Sequence, residues 1–129
     1  MKTFVIALIV LMIKEIIAGP EDVICRQKIG ITFEESSDFL QRAKIPEIRD
    51  QMDQKYKCFV LCLMEEMNIL DGCSYQLELG KQRVSEMGLA KLIPILDSCK
   101  DSSVGSEPCD CGYNVFKCVL DGMMAMEEQ

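Results

Sequence analysis

The sequence predicts an all-α protein, a single compact domain of about six short helices. Its 129 residues are 49% hydrophobic, which favours one domain because two would be too small to build separate cores. Apolar residues recur at three- and four-residue steps along most of the chain, as on one face of a helix. No segment alternates apolar and polar residues as a half-buried strand does. Eight cysteines could cross-link such short helices.

The first 18 residues are typical of a secretory signal peptide. Lys2 precedes an unbroken apolar run, Phe4–Ile13, that is too short to cross a bilayer. Small residues at positions 18 and 19 suit cleavage. The alternative is an ordinary amphipathic first helix. We expect residues 1–18 to be removed and residues 19–129 to form a secreted, extracellular domain.

The next helix is predicted from a capping box at Thr32 and Glu35. In this motif the threonine side chain accepts a hydrogen bond from the backbone N–H of the third helical residue, a glutamate. The glutamate side chain in turn accepts a hydrogen bond from the backbone N–H of the threonine. The helix should run to about Ala43, and its apolar side should consist of Phe33, Phe39 and Leu40. Pro46 then ends one element or starts another.

The longest helix is predicted over Ile48–Asn68. Its apolar residues, spaced as on a helix face, are Met52, Tyr56, Phe59, Val60, Leu63, Met64 and Met67. Asp71-Gly72 is a turn signal that follows it.

Two shorter helices are predicted over Tyr75–Met87 and Leu89–Lys100. Pro94 lies inside the second and should kink it or set its effective start. Residues 102–107 form a loop in this interpretation.

The last helix is predicted to begin at Pro108, because proline suits a first helical turn. Gly122 should end it and leave residues 123–129 as a tail.

Composition excludes several classes of function. The chain has 21 acidic and 14 basic residues and a net charge of −7, whereas nucleic-acid binding needs clustered basic residues. It contains no histidine, which removes Ser–His–Asp and Cys–His catalysis and the Cys/His zinc sites. The adjacent pairs Glu65-Glu66 and Glu127-Glu128 point apart on a helix and indicate solvated surface. We therefore expect no enzyme activity, no cofactor and no metal.

Cysteine spacing excludes some disulfide pairings but does not determine the full set. Cys58 and Cys62 lie one turn apart on the same helix face, so each should bond a different segment. Cys109 and Cys118 on the last helix should likewise have different partners. Thiolate metal binding is the alternative, and a secreted chain disfavours it.

Six cysteines follow the pattern C-x32-C-x3-C-x36-C-x9-C-x8-C, at Cys25, Cys58, Cys62, Cys99, Cys109 and Cys118. This pattern and the flanking segments 55–67, 108–109 and 116–118 resemble the insect odorant-binding and pheromone-binding protein family. The resemblance implies six helices around one apolar cavity, with bonds Cys25–Cys62, Cys58–Cys109 and Cys99–Cys118. Cys73 and Cys111 are additional. They form a fourth bond or remain two thiols that are free or linked to a partner.

The resemblance also implies which residues line the cavity. By position they are Phe59, Leu63, Met64, Met67, Leu77, Val84, Leu92, Ile93, Ile95, Phe116 and Val119, with Met123 of the tail covering the opening. Tyr56 or Tyr113 could orient a polar ligand group. Seven methionines in residues 19–129 favour an adaptable pocket, because thioether side chains are unbranched and polarisable.

The function that these features favour is a soluble extracellular carrier of small apolar ligands such as odorants or pheromones. The alternative is a secreted interaction, signalling or venom protein on the same scaffold. No nucleic-acid partner and no stable membrane insertion are expected, and the sequence specifies neither a homodimer nor a receptor contact. Acid-triggered release would have to use carboxylates, since histidine is absent.

Overall fold

The computed structural model describes residues 20–127, so the predicted signal peptide lies outside the described residues. The described chain forms seven α-helices, one 3₁₀ turn and a two-stranded hairpin. Their bounds are α1 Pro20–Ile29, α2 Phe33–Ala43, α3 Pro46–Arg49, α4 Gln54–Glu66, β1 Leu70–Asp71, β2 Ser74–Tyr75, α5 Leu77–Glu86, the 3₁₀ turn Ala90–Leu92, α6 Ile93–Ser98 and α7 Pro108–Glu127. The predicted all-α, single-domain class is confirmed.

Helix α2 begins at the predicted capping box. The backbone N–H of Glu35 donates to Thr32 Oγ1 at 3.1 Å, and the Thr32 N–H donates to Glu35 Oε1 at 3.1 Å. The placement of Phe33 on the apolar side is wrong, because this first helical residue is 50% exposed. The Arg26 guanidinium lies 5.4 Å from its ring centroid and covers part of it.

The long helix predicted from Ile48 is divided in two. Pro46 starts the four-residue helix α3, and extended backbone at Asp53 (ψ 150°) precedes a new helix at Gln54. Apolar spacing continues across the break because Met52 is also buried, so periodicity alone did not reveal it. Helix α7, with 20 residues, is the longest element.

Gly122 does not end the last helix. Helix α7 continues through it to Glu127. A Cβ atom at Gly122 would lie 2.8 Å from Ile95 Cγ2, so this glycine permits a close approach between α7 and α6. The predicted tail is therefore helical as far as it is described, and Met123 is buried within it.

The smaller predicted breaks are close to the observed ones. Pro94 lies in the first turn of α6 and sets its start, after the separate 3₁₀ turn. The turn at Asp71-Gly72 joins the two short strands, which pair Leu70 with Tyr75 and Asp71 with Ser74. Gly72 has a φ of +62°, which glycine adopts without strain.

Four disulfide bonds connect the helices. Cys25–Cys62 joins α1 to α4, Cys58–Cys109 joins α4 to α7, and Cys99–Cys118 joins the end of α6 to α7. These are the three pairs that the resemblance implies. Cys73–Cys111 is the fourth bond and joins the hairpin to α7. Cys58 and Cys62 thus bond different segments, and no free cysteine remains.

The core lies between α4 and α7, the two helices with the most extensive mutual contact. An aromatic cluster borders it, in which Phe39 stacks on Tyr56 at 5.1 Å and on Phe116 at 5.8 Å between ring centroids. Over residues 20–127, none of the helices is both long and apolar enough to cross a membrane.

Candidate ligand-binding cavity

Helices α4 and α7 lie side by side and run in the same direction. Cys58 bonds Cys109, and one turn further along Leu61 packs on Gly112. A Cβ atom at Gly112 would lie 2.8 Å from Leu61 Cα, so here the two backbones are in contact. We call this region, formed by Cys58, Leu61, Cys109 and Gly112, the closed end.

Further along the same two helices the side chains separate and enclose a cavity of about 50 Å³. We call this region the cavity end. Only apolar side chains line it: Leu40, Val60, Leu63, Met64, Met67, Ile69, Leu92, Leu96, Phe116, Val119, Leu120 and Met123. Helix α4 contributes three of these residues and helix α7 contributes four. The others come from α2, the segment after α4, the 3₁₀ turn and α6.

Seven of the twelve side chains predicted for the pocket lie in this wall. They are Leu63, Met64, Met67, Leu92, Phe116, Val119 and Met123. Met123 forms part of the wall from within helix α7 and does not cover an opening from a free tail. Contact of any of these residues with a ligand stays a prediction.

The other five predicted residues lie outside the wall. Phe59 is fully buried and meets the ring of Phe39 edge-on, with ring centroids 6.4 Å apart. Ile95 packs against Gly122. Val84 is fully buried on α5, and Leu77 and Ile93 pack at the margin of the core and are only partly buried. These residues are core rather than cavity wall.

Five wall residues are not among those predicted from the sequence. Val60 and Leu120 each lie one helical turn from a predicted residue, and that spacing was a usable signal. Ile69 enters the wall because Asn68 adopts a left-handed conformation, with φ of 59°, that turns the chain back after α4. Leu40 and Leu96 reach the cavity through tertiary packing, which has no local signature.

The tyrosines proposed to orient a polar ligand do not line the cavity. Tyr113 donates its hydroxyl to the backbone carbonyl of Arg49. Tyr56 stacks on Phe39, and the Lys55 ammonium lies 5.1 Å from its ring centroid. Burial raises the pKa of Tyr113 to about 12, so its hydroxyl remains a donor throughout the neutral range.

A third tyrosine, Tyr75, forms a hydrogen bond beside the cavity wall. Its hydroxyl donates to the carbonyl of Leu96 at 2.7 Å. Burial, and to a lesser extent the nearby Asp97 carboxylate, raises the pKa of Tyr75 to about 12. No local sequence pattern singles out this residue, because its partner lies 21 positions away.

Two ion pairs connect α3 and the residue after it to α7, outside the wall. Arg49 is buried and bonds Asp121 Oδ1 at 2.8 Å. Lys117 Nζ lies 3.7 Å from Asp50 Oδ1 on the same side. Among residues 20–127, no three histidine, cysteine, aspartate or glutamate side chains come together as metal ligands would.

The cavity is small for a ligand in this conformation. A cavity of about 150 Å³ accommodates benzene in other proteins, so 50 Å³ holds less than one aromatic ring. Met64, Met67 and Met123 lie in the wall, and their unbranched side chains can change rotamer with little strain. The arrangement can therefore widen around an apolar molecule without a change of backbone fold.

Comparison with known proteins identifies the family. The chain matches no curated protein and no solved structure. The model of the PBP/GOBP family matches residues 22–121, which is most of the chain and includes all eight cysteines. With four disulfides linking helices around an apolar cavity, the chain belongs to the PBP/GOBP family, the insect odorant- and pheromone-binding proteins.

Proposed function

We propose that this protein is an extracellular carrier that takes up small hydrophobic molecules into the cavity end and transports them through aqueous fluid. Members of the family are binding and carrier proteins. The observation that supports a carrier role for this chain is an enclosed cavity walled only by apolar side chains. Transfer of an apolar molecule from water into such a space is favourable by about 25 cal/mol per Å² of surface removed from water.

Secretion is part of this proposal. Four disulfides suit an oxidising compartment, and residues 1–18 have the charged and apolar segments of a signal peptide. The intact mass of the protein recovered from the medium of secreting cells should lack residues up to about position 18 or 19. A mass that still includes Met1 would contradict this part.

Displacement of an apolar fluorescent probe tests the carrier function. Wild-type protein should bind the probe at one site and release it to small apolar volatiles. Val119→Phe places a larger ring in the wall and should weaken probe binding by at least about tenfold, the loss expected when an apolar contact area is taken away. Val104→Phe makes the same change at a site that is 60% exposed and serves as the matched control.

Equal probe binding by wild type, Val119→Phe and Val104→Phe would show that the cavity is not the binding site. Circular dichroism of each variant separates a filled cavity from a misfolded chain, because all three proteins should keep their helical spectrum.

A further inference from the structure

The wall of the cavity offers no hydrogen-bond partner to a ligand. Its twelve side chains are leucine, isoleucine, valine, methionine and phenylalanine, and no polar atom faces the cavity. The thioether sulfur of methionine is only a weak acceptor. A hydroxyl or carboxyl group that entered would therefore lose its hydrogen bonds to water and form none in return.

Buried charged and hydroxyl side chains elsewhere in the described residues have partners of their own, although Asp22 Oδ1 has none. Four are buried, and none belongs to the wall. Their partners are Arg83 for Glu21, Arg26 for Asp22, the Phe33 carbonyl for Ser36 and Asp121 for Arg49. Because none of these four side chains lines the cavity, a ligand there gains no polar side-chain partner from them.

Backbone carbonyls at the end of α6, at Ile95 and at the wall residue Leu96, are potential acceptors. The last carbonyls of a helix have no partner within it. Tyr75 donates to that of Leu96 at 2.7 Å, and Ser98 Oγ donates to that of Ile95 at 2.8 Å. Since Leu96 is a wall residue, these hydroxyls occupy the acceptors that an alcohol would otherwise use.

Widening the cavity would expose further apolar groups. The fully buried side chains on the helices that flank it include Phe59 on α4, Val84 on α5 and Val115 on α7. Expansion of the site toward these residues therefore keeps its apolar chemistry.

We propose that the cavity selects neutral hydrocarbons over molecules of the same shape that carry a hydroxyl or carboxyl group. This specificity rests on the carrier function proposed above and names its ligand class. Leaving a buried hydroxyl unpaired should weaken binding by about tenfold relative to a methyl group in the same place.

Matched ligand pairs test this selectivity. Toluene and phenol differ by a methyl group against a hydroxyl, and ethylbenzene and benzyl alcohol differ in the same way one carbon further from the ring. Calorimetric titration of the full secreted chain at pH 7 should give tighter binding, by about tenfold, for each hydrocarbon. Phenol that binds as tightly as toluene overturns the selectivity and leaves the carrier function standing. Absence of binding by all four, together with no probe binding, overturns the carrier function itself.

A pair of isosteric variants places the effect in the wall. Val119→Thr introduces a hydroxyl whose free lone pair can accept from phenol, even while it donates to a carbonyl of its own helix. It should reduce the preference for toluene over phenol by about threefold, which corresponds to a weak hydrogen bond. Val115→Thr makes the same change on α7 at a fully buried position outside the wall, and should leave the preference unchanged. An unchanged preference in Val119→Thr, or an equal change in both variants, overturns the proposal.

Discussion

Helices α4 and α7 meet at two places that differ in chemistry. At the closed end a disulfide and a glycine bring the backbones into contact, so the two helices have one possible spacing. At the cavity end the same helices face each other through leucines, valines, methionines and a phenylalanine, and a space of about 50 Å³ remains between them. Rigidity and adaptability thus occur within one pair of helices.

The contributions of the two regions to the free energy of unfolding explain why they can coexist. An unfilled cavity costs about 24 cal/mol per Å³, so this one destabilises the fold by about 1 kcal/mol. A disulfide that closes a loop of 51 residues contributes about 4 kcal/mol in the chain-entropy model. Covalent cross-linking at the closed end therefore more than offsets imperfect packing at the cavity end.

Removing the disulfide of the closed end should have the largest effect. We expect Cys58→Ser/Cys109→Ser to lower the free energy of unfolding by about 4 kcal/mol. The double variant Cys73→Ser/Cys111→Ser is the matched control, because its loop of 38 residues is of similar length. It should lose less, since Cys73–Cys111 ties only the short hairpin to α7, whereas Cys58–Cys109 joins the two helices with the most extensive mutual contact. Denaturant unfolding of both variants measures the difference, and equal losses would show that the closed end has no special role.

The close spacing of α4 and α7 at the closed end can be disrupted without changing a disulfide. Gly112→Ala places a methyl group against the backbone of Leu61 and should cost about 2 kcal/mol net of the gain in helix propensity. Gly122→Ala on the same helix meets the side chain of Ile95 and no backbone atom, so it should cost less than Gly112→Ala. Thermal unfolding compares them. Similar melting temperatures for the two variants would mean that α4 and α7 separate more easily than their contact indicates.

Two tyrosine hydroxyls that donate to backbone carbonyls allow the two regions to be compared through the pH dependence of stability. Tyr113 lies next to Gly112 and Tyr75 beside the cavity wall, and burial raises the pKa of each to about 12. A raised folded pKa means that the associated stability is complete below pH 10 and is lost as the pH rises through about 12. Replacing either tyrosine with phenylalanine should cost about 1 kcal/mol at pH 7 and reduce the loss between pH 10 and 12. Denaturant unfolding at pH 7 and pH 11 measures both effects. If the free energy of unfolding of Tyr113→Phe declines as steeply with rising pH as that of wild type, Tyr113 is excluded as the source of this pH dependence.

Methionines of the cavity end should matter for ligand range more than for stability. Met64→Leu/Met67→Leu conserves volume and should cost less than about 1.5 kcal/mol per site, while binding of the bulkiest ligands weakens severalfold because branched side chains adapt less. Met52→Leu is buried outside the wall and is the control. Competition titration against a size series of hydrocarbons measures the range. If the double variant binds the same size range of hydrocarbons as wild type, the adaptability of the cavity does not come from Met64 and Met67.

Features encoded by neighbouring residues could be predicted from the sequence. The capping box at Thr32 and Glu35 needs only four residues, and the structure contains both of its hydrogen bonds. The start of α6 at Pro94 is local in the same way. Wall residues on a predicted helix face, such as Leu63 and Phe116, were accessible through the family resemblance.

Features that depend on tertiary packing could not be predicted. Gly122 has the sequence signature of a helix end, but α7 continues through it and Ile95 on another helix packs against it. Leu40 lines the cavity because α2 packs against it, and nothing near Leu40 in sequence indicates this contact. The break before Gln54 was hidden because Met52 continues the apolar spacing across it.

The position of Cys118 on α7 has a consequence for kinetics. All three half-cystines of this helix, Cys109, Cys111 and Cys118, precede the nine described residues 119–127, which therefore carry no covalent tie. Three wall residues, Val119, Leu120 and Met123, belong to that untied segment. Its local opening breaks only its own contacts, and regions with fewer constraints open far more often than the whole chain unfolds. The residence time of a bound molecule can therefore be short even in a protein whose global unfolding is slow.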